Sequence, residues 1–178
     1  MNFMRFMNII LLFVVVLLIP SQAFTEEIKT RYTTIIYNST DQLDNFNDNI
    51  ITGGLSYFFQ RQDSVTVKDE IVSKVDGLVE HVESILEMYP SMMHFRIVLL
   101  DDDNEVRAVY RRQYNKSVNY IAFYSPQEKT VYISVDDVEL RVLAHEIAHV
   151  VIDHYFGVAP PVKIHEVLAQ YVEKHLED

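Results

Sequence analysis

Apolar residues along the chain fall into two patterns, short continuous runs and stripes at helical spacing. "RYTTIIY" (31–37) is rich in β-formers and predicts a first strand. In "STDQLDNFNDNI" Leu43, Phe46 and Ile50 share one helical face, and Gly53-Gly54 ends that pattern. Residues 66 to 89 predict the longest helix, with Val67, Ile71, Val75, Leu78, Val82, Ile85 and Tyr89 in one stripe and Pro90 as its stop. "FRIVLL" (95–100) suits a central strand, and "DDDNEVRAVYRRQY" a short helix opened by capping acids. "VNYIAFY" and "TVYISV" flank "SPQEK" and predict a hairpin or a pair of adjacent strands.

The last third reads as two helices. The first opens with Asp136 as cap and Glu139 completing a capping box, and runs to about Phe156 with Gly157 as its stop. "GVAPP" is a turn, after which Pro161 starts the final helix, "VKIHEVLAQYVEKHL". The order β-α-α-β-α-β-β-α-α predicts an α+β domain.

The N-terminus stands apart from this pattern. Arg5 is its one charge, Ile9 to Ile19 is an unbroken apolar run of 11 residues, and Pro20 precedes Ser21-Gln22-Ala23. A positive start, a short apolar centre and small residues at minus three and minus one predict a secretory signal peptide over residues 1–23. The run is well short of the roughly 20 residues that span a bilayer. The expectation is therefore an exported chain, periplasmic or extracellular, with no stable membrane anchor after cleavage and a single domain over residues 24–178. Without Arg5 the net charge of −11 becomes −12, which argues against nucleic acid and anionic membranes as partners. Cysteine is absent, which excludes disulfides, thiolate-bound zinc and a cysteine nucleophile.

The candidate chemistry lies in "VLAHEIAHVVIDHYFG" (142–157), which contains H-E-x-x-H as His145, Glu146 and His149. Histidines at i and i+4 are about 40° apart on a helix and one turn along it, so both reach one metal ion. Glu146 lies about 100° from His145, beside the pair, where it can take a proton from a water on the metal. This is the spacing of the zinc hydrolases. The surrounding residues are apolar nearly all round, which predicts a buried helix. Burying His-Glu-His there with no ligand is costly.

A catalytic zinc needs a third protein ligand. The H-E-x-x-H-x-x-G-x-x-H pattern fails, because Ile152 and Tyr155 stand where its Gly and third His belong. A glutamate from the next helix remains. Glu166 follows His149 by 17 residues across the Gly-Pro-Pro turn, and a helical hairpin brings it back. Gln170, one turn beyond Glu166, is a candidate for orienting a ligand. Glu173 is too far along the helix to share the metal with Glu166. His165 is expected at the surface or behind the ligands, and His81 and His94 are expected to be ordinary.

"LAHEIAHVV" followed by "P-x-x-x-H-E-x-L-A-x-Y-V" resembles the gluzincins, and among them the peptidase-MA-like bacterial proteins, over roughly residues 93 to 178. The resemblance implies a zincin-like fold, in which a small mixed sheet carries an active-site helix and a following ligand-bearing helix. It also implies Zn2+ held by His145, His149 and Glu166, with Glu146 as the catalytic general base. "VNYIAFY" would be the rim strand against which an extended peptide or protein substrate pairs. The chain departs from the family at Val167, where Gly is usual, and at Lys163, where an aromatic is common. Larger members add a subdomain whose Tyr or His steadies the oxyanion. Here the candidates for that role are Tyr155, Tyr171, His154 and His175.

Three functional readings follow. The leading one is an exported zinc metallopeptidase. The second is a catalytically inactive, zinc-stabilised binding module of the envelope, and the third a metal-free helix with structural histidines.

Overall fold

In the computed structural model, residues 25–50 and 66–177 are described; the signal-peptide segment and the Gly53-Gly54 break lie outside them. The domain is α+β, built on one five-stranded mixed sheet. Strands β1 (Glu26–Lys29), β2 (Thr33–Tyr37), β3 (Phe95–Leu100), β4 (Ala122–Ser125) and β5 (Thr130–Ser134) stand in the order β1-β2-β3-β5-β4. The three central strands run parallel, while β1 and β4 are antiparallel edges.

Alternation along the central strands explains which way they face. Ile35 and Tyr37, Phe95, Ile97 and Leu99, and Val131 and Ile133 are buried in the main core. The intervening residues look the other way, and Arg96 is exposed. On that second face helix α3 (Asp103–Tyr114) lies over β3, β4 and β5. Its Tyr110 meets Phe123 edge-on at 5.0 Å, and Phe123 stacks on Tyr132 at 5.1 Å.

Helices α1 (Thr40–Asn49), α2 (Val67–Leu86), α4 (Leu140–Tyr155) and α5 (Val162–His175) supply the rest. Leu43 and Phe46 of α1, Ile71, Val75, Leu78 and Val82 of α2, and Leu143, Ile147 and Val151 of α4 fill the main core. Ser39 caps α1 by accepting from the Gln42 amide, and Thr66 and Asp69 form a capping box on α2. Among the described residues no helix is long and apolar enough to cross a membrane.

Several sequence expectations shift at element ends. A strand at Glu26–Lys29 was not anticipated, since Ile28 is its one buried residue and a lone apolar position carries no periodicity. The long helix stops at Leu86, before Pro90, because Glu87 turns left-handed at φ 53°. Tyr89 therefore leaves the buried stripe, and Val67, the first residue of the helix, is also exposed. Of "VNYIAFY" only Ala122, Phe123 and Tyr124 pair as strand, and β4 runs on to Ser125. The capping box at Asp136 does not form. α4 begins after Glu139 with no side-chain cap, because Val135 and Asp136 still donate to the carbonyls of Leu100 and Asp101 beyond the sheet end. Nor is Gly157 a left-handed stop: Phe156 ends α4 in extended geometry, at φ −89° and ψ 127°.

Candidate metal centre

Helix α4 is buried along most of its surface, as its composition requires, and packs against α2, α5 and β4. After the turn at residues 156–161, α5 returns antiparallel to it, and Arg141 near the start of α4 pairs with Glu177 past the end of α5. Residues on α4 divide by direction. His145 and His149 look along the seam with α5, while Glu146 looks toward the edge strand β4.

The hairpin brings the three expected ligands together. Nε2 of His145 and Nε2 of His149 are 3.1 Å apart. Glu166 straddles them, with Oε2 3.7 Å from His145 Nε2 and Oε1 3.6 Å from His149 Nε2. One donor atom from each residue lies within 4.8 Å of the other two, and no other such group of His, Asp or Glu occurs among the described residues. Bonds of about 2.0–2.2 Å arranged tetrahedrally put neighbouring ligand atoms roughly 3.3–3.6 Å apart. The observed spacings bracket that figure, so the residues fit a small divalent ion.

Protonation favours the same use. Burial, reinforced by the neighbouring imidazoles of His145 and His165, pushes His149 down to about 3, so its ring stays neutral with a lone pair to give. Glu173 of α5 contacts Nδ1 of His145 at short range. With Nδ1–H donated to that carboxylate, Nε2 of His145 is the free lone pair, aimed at the cluster. Glu173 was expected only to be too far from Glu166 to share its metal, and Gln170 was expected either to orient a ligand or to be solvated. Gln170 is exposed. Antiparallel packing explains the exchange: moving toward the C-terminus of α5 runs toward the N-terminus of α4, so the residue two turns past Glu166 arrives at His145. The spacing argument held that Glu173 cannot share the metal with Glu166, and it reaches the opposite nitrogen of the ring.

Glu146 is 8% exposed, and its Oε2 accepts a 2.8 Å hydrogen bond from the Tyr124 amide on β4. Burial pushes its carboxyl up to about 8; the Tyr124 amide opposes this, and the charges of Glu166 and Glu173 add to it. A carboxyl poised there exchanges protons near neutral pH, where a general base or acid works best.

Other histidines and tyrosines sort themselves around this cluster. His165 is half-buried, with its ring stacked 5.7 Å from that of His149. His154 and His175 turn Nδ1 onto the carbonyls of Val150 and Tyr171, one turn back. Tyr155 and Tyr171 are about half exposed, at 48% and 46%. His81 bridges α2 to the Leu176 carbonyl, and His94 meets the Thr34 hydroxyl. Comparison of the chain with known protein families, with characterised proteins and with solved structures returns no match. The gluzincin resemblance therefore rests on the residues themselves.

Proposed function

We propose that the chain is an exported, zinc-dependent metallopeptidase of gluzincin type, cleaving peptide bonds in a peptide or protein substrate. The observation that carries this reading is the His145–His149–Glu166 donor cluster on two antiparallel helices, with buried Glu146 beside it. When bound, zinc supplies Lewis-acid polarisation of a carbonyl and acidifies water.

The remaining work belongs to side chains. His145, His149 and Glu166 hold the ion, and Glu173 fixes the ring of His145. Glu146 takes a proton from water and passes it to the departing amine. Strand β4 is the support the resemblance implies for a peptide substrate: among the described strands it pairs only with β5, and on its other side the Tyr124 amide is already taken by Glu146.

Metal analysis of the purified protein, combined with cleavage of an unfolded protein substrate, tests this. About one zinc per chain is expected. Glu146→Gln should keep zinc and lose cleavage, whereas His149→Ala and Glu166→Ala should lose zinc. Protein with no stoichiometric zinc would overturn the reading. Zinc retained without any cleavage would assign the envelope binding module instead.

A further inference from the structure

Glu146 is a proton carrier only if its carboxylate is held at a fixed place beside the zinc ligands. Among the described residues its one hydrogen bond comes from β4, a four-residue strand at the sheet edge. Such a strand is held by its ladder on one side alone. Something must fix it over α4.

Tyr124 does so at a second point. Its amide donates to Glu146 Oε2 at 2.8 Å, and its phenol donates to Asp153 Oδ2 at 2.9 Å. Glu146 and Asp153 are seven residues apart, which is two helical turns and a shift of only about 20° around the axis. One tyrosine thus spans the β4-facing stripe of α4, with its backbone on one turn and its side chain two turns on. The bond is a strong one, since a carboxylate acceptor roughly doubles the strength of a neutral hydrogen bond. Burial, with the Asp153 charge, pushes the Tyr124 phenol well above its ordinary range, so it remains an O–H donor. Asp153 was given no role by motif spacing. It falls four residues after His149, outside H-E-x-x-H.

We infer that Tyr124 and Asp153 are positioning residues for Glu146: their hydrogen bond pins β4 to α4 and so fixes the amide that orients the Glu146 carboxylate. This rests on the reading of Glu146 as the proton carrier.

The test is amide hydrogen exchange at position 124 in the full chain, with zinc content measured alongside. Tyr124→Phe keeps the ring and the amide, and Asp153→Ala removes the acceptor. In both, exchange at position 124 should quicken by about tenfold or more, as loss of a charged hydrogen bond implies. The amides of Ile133 and Ile147 should keep their rates, and zinc content should not change. Glu146→Ala should quicken exchange at position 124 as well, which ties the protection to that carboxylate. Asp153→Asn, which retains an acceptor oxygen, should restore most of it. With a peptide that the wild type cleaves, kcat should fall in Tyr124→Phe while KM holds. Unchanged exchange at position 124 would overturn the inference, and so would equal acceleration of every amide, which marks a merely structural role. If the wild type cleaves nothing, the peptidase reading fails and the exchange rates alone decide the positioning of Glu146.

Discussion

Burial of Glu146 should make the metal-free chain less stable as pH rises, and Glu146→Gln should remove that loss. The carboxyl stands at about 8 in the folded chain against 4.5 for an unperturbed glutamate. Below pH 4.5 both folded and unfolded chains hold the proton, and the carboxyl favours neither. Between the two values the unfolded chain releases it while the folded chain keeps it, so folding stability falls by about 1.4 kcal/mol per pH unit. At pH 7 the accumulated loss is about 3 kcal/mol, and above pH 8 it reaches its limit of about 5 kcal/mol. Glutamine keeps an oxygen to accept the Tyr124 amide and has no proton to lose. Urea melts of both proteins in chelator from pH 4.5 to 8.5 measure the difference. With a urea slope of about 2 kcal/mol per M, the midpoint of Glu146→Gln should lie roughly 1.5 M above that of the wild type at pH 7 and draw level near pH 4.5. Midpoints that stay parallel across the range would refute the burial argument. Zinc should shrink the gap, because a nearby cation favours the ionised carboxylate.

Three further outcomes follow from the same geometry. Glu173→Ala should weaken zinc binding by about 10–100-fold, read by competition with a chelating dye, because it frees the His145 ring. Adding zinc at about a thousand times its dissociation constant should stabilise the folded chain by about 4 kcal/mol, read as a rise in Tm, with no such rise in His149→Ala. Ile147→Ala, at a position with no exposure, should cost about 2–5 kcal/mol in urea melts, while zinc stoichiometry in the surviving folded fraction stays unchanged.

Much of the architecture was legible in order along the chain. "FRIVLL" is the central strand β3, bonded on both sides, and "SPQEK" closes the β4–β5 hairpin. The apolar girdle of Leu140, Val142, Leu143, Ala144, Ile147, Ala148, Val150, Val151 and Ile152 predicted a buried helix; all are at 0% exposure except Leu140 and Val142, which are partly buried. His145, His149 and Glu166 were readable too, because i, i+4 spacing and a short hairpin are local geometry.

Contacts across the seams were not. Which residue of α5 reaches His145 depends on how far the two helices slide past each other, and neither sequence carries that number. The packing of α4 on α5 chose Glu173 over Gln170. Likewise the missing cap at Asp136 follows from Val135 and Asp136 bonding to Leu100 and Asp101 beyond the end of β5, and the partners of Tyr124 follow from where β4 settles over α4. The sequence by itself determined most of the elements, the buried faces and the His145, His149 and Glu166 donor set, since each is a matter of periodicity within a few turns. Only the tertiary structure decided which carboxylate orients a ligand and what holds Glu146, because those answers depend on distances between segments tens of residues apart in the chain.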